Sequence, residues 1–347
     1  MLACATTPVS RRSLLAAGAA MTAAGAAGRV LRTAAAQDLE KVTLALDWYP
    51  NANHAGLFLA QERGYFAEAG LEVELYTPSD PTVVLQTVGA GRDDYGISYQ
   101  TDVLLARAQE VPVVSVAALV QHPLMGVMSL ASAGITRPAD LAGTTVGYPG
   151  IPSQEAFLTT MMASDGASID DLELINVDFN LVPAVISGQT DAVMGAYWTH
   201  ETILAEQEGY PVSMMRVEDW GVPDYYELVL VTNEENAASP QVPALLGAIQ
   251  RGYLDAIAEP DAAIAAMQAA YPELDAEVEL IGIGLLSGVW LDPEGAFGVQ
   301  TAERWTAYAD WMKASGLIPE DLDPAQAFVS FALQAQASPE ASPVAGP

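Results

Sequence analysis

Short apolar runs alternate with amphipathic stretches from residue 41 to about residue 123. Strands are predicted over 42–46, 71–76, 95–98 and 113–119, and helices over 55–63, 82–89 and 102–109. The run LEVELY at 71–76 alternates apolar and acidic residues, the period of a strand with one buried face. VVSVAAL at 113–119 is apolar and rich in β-branched residues, as a buried strand requires. A second series follows, with strands over 125–130, 145–147, 172–177, 192–194 and 212–217 and helices over 153–165, 181–187 and 201–208. The strand 227–232 (ELVLVT) closes it, and an Ala-rich remainder has helical spacing over 243–258, 261–271, 275–281 and 302–315. Strands alternating with crossover helices imply parallel pairing and an α/β class. Two series joined by the strands 125–130 and 227–232 predict one domain inserted in another. The first lobe takes 38–130 plus 227–334, the second 131–226, with a hinge at the crossovers and a ligand cleft between the lobes. No internal repeat is evident.

The two ends stand apart from this pattern. Ser10-Arg11-Arg12-Ser13 precedes an Ala/Gly-rich apolar run to Gly28, and small residues follow at Ala34-Ala35-Ala36. That order is the layout of an export signal of twin-arginine type over 1–36. The apolar run is shorter than the ~20 residues a membrane span needs, and no later segment is long and apolar enough to span. Cys4 would leave with the signal, so the rest of the chain has no thiol and no disulfide. The tail 335–347 (ASPEASPVAGP and its approach) is small, Pro-rich and poor in apolar residues, and is predicted to be disordered.

The 347 residues are 51% hydrophobic and 16% charged, with a mean hydropathy of +0.22, enough for a sizeable core and about two domains. Residues 1–36 hold four arginines (Arg11, Arg12, Arg29, Arg32) and no acid. Of the 13 basic residues nine then remain against 44 acidic ones, a formal charge of −35. Nucleic acid and anionic lipid are poor partners for such a surface, which suits solubility outside the cytoplasm.

Candidate chemistry concentrates at strand ends. The stretch 46–66 (LDWYPNANHAGLFLAQERGYF) passes from a strand through Asp47, Trp48 and Tyr49 into a Pro-Asn-Ala-Asn-His turn and then a helix. The turn explains Pro50 and the asparagines, but not two aromatics, an acid and a histidine at a strand's C-terminal end, where open α/β sheets bind ligands. Trp48 could give a flat wall for a heteroaromatic ring. Asp47 could accept from an exocyclic amine or cap the turn. Asn53 could touch the ligand or only form the turn, and His54 could donate to a ligand carbonyl or cap the helix. Ser98 and Tyr99 end the third strand. Tyr148 and Gly150, between a strand and a helix start, could present free N–H groups to an oxygen-rich substituent. In YWTHE, Tyr197 and Glu201 are four apart and would share a helix face, with Trp198 between them; a carboxyl at Glu201 can make two hydrogen bonds to a ligand edge that carries a donor beside an acceptor. Tyr225, with Trp220 and Tyr226, precedes the return strand. His54, His122 and His200 have no metal-ligand spacing, and no metal is expected.

LDWYPNANHAGLFLAQERGYFAEAGLEVEL, VLQTVGAGRDDYGISY, VPVVSVAALVQHPLMGVMSL, DLAGTTVGYPG and SGQTDAVMGAYWTHE, taken in order, resemble the SsuA/ThiY/Thi5-like family over roughly 42–335. That resemblance implies a type II periplasmic binding protein fold, α/β with two lobes joined by crossover strands. It also implies a monomer that meets the membrane only through ABC permease and ATPase subunits, binds a small heteroaromatic ligand, and uses no cofactor. The phrase LDWYPNANHAG is most similar to ThiY-type members, which bind formylaminopyrimidine or hydroxymethylpyrimidine precursors of thiamine. The many Trp and Tyr side chains leave riboflavin as an alternative; an alkanesulfonate ligand would want more basic residues.

The family also includes a synthase that makes the thiamine pyrimidine from pyridoxal phosphate. It needs a lysine for a Schiff base, a donor histidine and a cysteine-rich segment. In this chain those positions hold Ser98, Asp102 and the stretch WGVPDYY at 220–226, and after residue 36 the only lysines are Lys41 and Lys313. Without an amine there is no imine, and a non-enzymatic binding role is expected.

Overall fold

The computed structural model describes residues 39–331 and 333; the expected signal (1–36) and tail (335–347) lie outside the described residues. Strands β1 (Glu40–Ala45), β2 (Leu71–Tyr76), β3 (Tyr95–Ser98) and β4 (Val113–Ala118) come first. Between them run helices α1 (Ala55–Glu62), α2 (Tyr65–Glu68), α3 (Val84–Gly89) and α4 (Gln100–Ala108). The chain then builds β5 (Met125–Leu130), β6 (Thr145–Tyr148), β7 (Glu173–Asn176), β8 (Ala192–Tyr197) and β9 (Val212–Arg216), with α5 (Pro152–Ser164), α6 (Leu181–Ile186) and α7 (Glu201–Gln207) as connections. It returns through β10 (Val229–Asn233) and ends in α8 (Gln241–Ala258), α9 (Pro260–Ala270), α10 (Ala276–Leu286) and α11 (Ala302–Ala314).

Two five-stranded sheets result, in the orders β2-β1-β3-β10-β4 and β7-β6-β8-β5-β9. In the first, β1 pairs in parallel with β2 and β3, while β10 runs antiparallel between β3 and β4. In the second, β6 pairs in parallel with β7 and β8, while β5 runs antiparallel between β8 and β9. The two sheets therefore share one strand order, a likeness of architecture that the sequence does not display as a repeat. In both, the switch of order lies at a central parallel pair, β1/β3 and β6/β8, whose C-terminal ends are ligand-binding positions in open α/β sheets.

This pairing corrects the expected boundary at residue 130. β5 belongs to the second sheet, so neither 125–130 nor 227–232 is itself a crossover. Its run MGVMSL is apolar throughout, and an apolar run carries no periodicity that says which sheet it will join. The chain crosses instead at 119–124 and again at 217–228. These segments bond to one another: the N–H groups of Leu119 and Val120 donate to the Leu228 carbonyl at 2.7 and 3.2 Å, and Glu227 N–H donates to Val120 O at 3.1 Å.

Burial follows the pattern of side chains. β4 and β8 are buried at every position, as central or covered strands with no polar face. Trp290, Trp305, Tyr253 and Tyr308 lie fully buried in the main hydrophobic core. α10 extends past the expected 281 because GIGLL continues the helix, and Asp275 caps it by accepting from the N–H groups of Glu277 and Val278. β8 also outruns its expected end at 194, with a consequence for the site. Tyr197 closes the strand and Glu201 opens α7, so the two do not share one helix turn as their spacing suggested. Among the described residues no helix is long and apolar enough to cross a membrane.

Candidate functional site

Asp47 lies two residues past the end of β1 and is 3% exposed, and no arginine or lysine shares its cavities. Its two oxygens are held from opposite sides. His54 Nε2 donates to Oδ1 at 3.0 Å, and the Tyr99 hydroxyl donates to Oδ2 at 3.0 Å. The imidazole is itself fixed, since Nδ1 accepts the Asn51 N–H at 3.2 Å, which leaves the proton on Nε2. Burial, then the Asp47 charge, holds the Tyr99 hydroxyl well above the usual phenol range, so it stays a donor.

From the second sheet, Tyr197 at the end of β8 and Glu201 at the start of α7 approach the same place. The Glu201 carboxylate accepts the Tyr197 N–H at 2.8 Å and also its own N–H. Burial, only partly offset by those two bonds, pushes the Glu201 carboxyl up to about 7. Tyr197 donates its hydroxyl to Glu227 at 3.1 Å. Asp47, Trp48, Asn51, Tyr99, Gln154, Gly195, Tyr197 and Glu201 enclose one small cavity of about 10 Å³. A second cavity of about 130 Å³ shares Asp47 and Tyr99 and runs on past Ser98, Asp102, Gln86, Ile151 and Pro152. Asp102 accepts the Ser153 hydroxyl at 2.6 Å, and burial raises its carboxyl to about 6. No arginine or lysine lines either cavity.

Phe179, from the loop before α6, reaches over the rim. Its ring lies 4.5 Å from that of Trp48, edge-on, and 4.4 Å from that of Tyr49. Asp178, in the left-handed region at φ 49°, donates its N–H to Asn176 Oδ1 at 2.7 Å and so shapes the turn that presents Phe179.

The structure brings Asp47, Trp48, Tyr99, Tyr197 and Glu201 to the inner cavity and Ser98 to the adjoining one. Six other expected residues line neither. His54 is fully buried with both ring nitrogens engaged, so it positions Asp47 and has no group left to donate to a ligand. Asn53 is buried; its amide donates to Asn51 Oδ1 and its carbonyl accepts the Tyr253 hydroxyl. Tyr148 packs against the core, and Gly150 (φ 83°) turns against the Asn176 side chain. Pro152 at the first position of α5 removes one of the free N–H groups expected there. Trp198 points away, its Nε1 donating to Pro123 O at 3.3 Å and its ring covered by the Arg216 guanidinium at 4.3 Å. Tyr225 is fully buried between Phe157 and Tyr308 and donates to Glu227.

Asn51, Gln154, Gly195 and Phe179 were not named as contacts. Only the asparagine had a local signal, as part of the PNANH turn. The others stand in ordinary helix, strand and loop contexts and become notable through what faces them. Among the described residues no cluster of three metal-ligating side chains occurs. The cavity offers rings, carboxyl groups and an amide, a set suited to recognising a flat ligand with N–H groups.

A family model described as NMT1/THI5 like matches residues 51–263. The chain is 40% identical over 300 residues to the formylaminopyrimidine-binding protein of Halalkalibacterium halodurans, covering 84% of this chain and 91% of that one. It is 31% identical to the 4-amino-5-hydroxymethyl-2-methylpyrimidine phosphate synthase of Aspergillus parasiticus, over 65% of this chain and 69% of that one. Among solved structures it resembles the alkanesulfonate-binding protein SsuA from Xanthomonas axonopodis pv. citri, with a TM-score of 0.68 at 16% identity, covering 85% of this chain and 99% of the other.

Proposed function

The chain belongs to the NMT1/THI5-like family, and from that membership and the cleft described above we propose that it is the substrate-binding component of an ABC importer. Its ligand would be a thiamine pyrimidine precursor of the formylaminopyrimidine or hydroxymethylpyrimidine type, bound and released unchanged. One observation carries this reading: Asp47 and Trp48 from the end of the first sheet's β1 and Tyr197 and Glu201 from the end of the second sheet's β8 line a single small cavity. A relative of high identity and near-complete overlap is a formylaminopyrimidine-binding protein, which supports the same ligand class.

The chemistry is recognition. Trp48 supplies a ring face, and offset stacking adds about 0.5–1.5 kcal/mol beyond the area it buries. Glu201, whose carboxyl titrates near 7, can donate to a ring nitrogen while accepting from the adjacent amine. Asp47, held rigidly by His54 and Tyr99, is an acceptor that need not reorganise on binding. Phe179 joins Trp48 and Tyr49 across the rim, so closing the cleft and covering the ring are one event. A cavity of about 10 Å³ holds at most one water, and admitting a ring requires the cleft to open first.

The rival ligands fit the cavities less well. A sulfonate would sit among carboxyl groups without a cation. A tricyclic flavin needs a wider opening of the cleft than a single pyrimidine ring does. The synthase reaction needs a cofactor held as an imine, and the residues do not fit it. Ser98 and Asp102 stand where the amine and histidine are required; Lys41, exposed on β1, and Lys313, on α11, line neither cavity. Export through the twin-arginine signal, a monomeric state and partnership with permease and ATPase subunits belong to the same proposal.

A thermal-shift panel with formylaminopyrimidine, hydroxymethylpyrimidine, thiamine and riboflavin tests this reading. A rise in midpoint with one of the two pyrimidines is the expected result. A response to riboflavin alone moves the ligand to the flavin class, and no response to any of the four removes the pyrimidine assignment.

A further inference from the structure

Most polar groups around the inner cavity already have protein partners. Asp47 is held by His54 and Tyr99, and Tyr197 by Glu227. Asn51 accepts from the N–H and the amide of Asn53 and donates to Tyr49 O. Gln154 is the exception. Its residue is 3% exposed, its carboxamide makes no hydrogen bond to any described residue, and Oε1 is fully enclosed without a partner. A buried acceptor left alone is costly, and native structures rarely keep one without a use.

The backbone opposite has been shaped around this amide. The β5/β8 register shifts between Gly126/Val127 and Ala196/Met194, so Gly195 is the extra residue of a β-bulge. Its φ is +97°, and a Cβ there would lie 2.6 Å from both Nε2 and Oε1 of Gln154. The bulge and the absent side chain open a niche in a strand that is otherwise fully buried.

We propose that Gln154 determines specificity in this site, its carboxamide oxygen accepting an N–H from an amine on the ring of the ligand. The inference rests on the functional reading above and deepens it. It assigns the ligand at least one N–H edge directed toward α5, away from the Asp47 side. Glu201 then keeps the ring nitrogen and the amine's other N–H. A ligand without that N–H would leave Oε1 buried and unpaired in the complex, so the site rejects it by withholding a bond, not by a clash.

Isothermal titration of the full chain with formylaminopyrimidine, and with the analogue in which hydrogen replaces the ring amine, tests this. The wild type should bind the amine roughly ten- to a hundredfold more tightly than the analogue. Gln154→Leu should lose a comparable factor for the amine and almost nothing for the analogue, while its unliganded melting temperature does not fall. Equal losses for both ligands, or unchanged binding of the amine, overturn the proposal. If the wild type binds neither compound, the functional reading itself falls and this inference falls with it; binding by the wild type with no effect of Gln154→Leu removes the inference alone.

Discussion

Glu227 accepts the backbone N–H of Leu124 at 2.6 Å and so ties the returning crossing to the outgoing one. The same carboxyl accepts the hydroxyls of Tyr225 and of Tyr197, the second of which lines the ligand cavity. One side chain thus joins both crossing segments to the site. Glu227→Ala would strand three buried donors, and each such loss costs about 1–3 kcal/mol before relaxation. We expect a drop in stability on the order of 3 kcal/mol in urea unfolding, with Glu227→Gln intermediate. A loss below about 0.5 kcal/mol would mean that the crossings are held by their backbone bonds alone.

His54 makes a similar argument about indirect action. Its ring links Asn51 N–H to Asp47 Oδ1 and touches no cavity. His54→Ala should weaken ligand binding about tenfold, because Asp47 loses the donor that orients it, and should also lower stability by about 1–3 kcal/mol. Binding at wild-type affinity in a destabilised variant would confine His54 to the fold.

Phe179 concerns release. Its edge-on contact with Trp48 is of the kind worth about 0.5–1.5 kcal/mol, which corresponds to roughly two- to tenfold in a rate. Stopped-flow tryptophan fluorescence should show Phe179→Ala releasing ligand faster by that factor, with association little changed. An unaltered dissociation rate would show that the Trp48–Phe179 pair does not hold the cleft closed.

Stability should fall as pH rises. Burial pushes the carboxyls of Glu201 and Glu227 up to about 7 and that of Glu279 to about 8, against an ordinary value of 4.5. The folded chain therefore binds more protons than the unfolded one between about 4.5 and 8. The contribution of these groups is complete below 4.5 and is lost as pH passes through 7 to 8. Asp80, Asp140 and Asp165, held below the usual carboxylate range by hydrogen bonds from Thr82, Thr136 and Arg137, act in the opposite sense but only at lower pH. The melting temperature should be lower at pH 8.5 than at pH 5.5, with a shallower slope in Glu279→Gln. A melting temperature rising over that range would contradict this.

The strand–helix alternation, the two-part organisation and the LDWYP turn were legible because each leaves a local trace: period 2, period 3.6, or residues a turn does not need. The membership of β5 was not, since its apolar run fits either sheet and only pairing with β8 and β9 decides it. Trp198 and Tyr225 show the complementary limit. Trp198 directly follows the cavity residue Tyr197, but it lies past the end of β8 and packs against Arg216, and the crossing segment buries Tyr225 against Phe157. Phe179 and Gln154 gain their places from residues far away in the chain, so no window of sequence marks them.

The central claim is that rings and carboxyl groups from both sheets hold an aminopyrimidine. Isothermal titration of formylaminopyrimidine into the wild type, Trp48→Ala and Glu201→Ala addresses it most directly. The account predicts saturable binding of one ligand per chain to the wild type, lost in both variants while each still unfolds cooperatively. Binding of unchanged affinity in both variants would place the ligand elsewhere and contradict it.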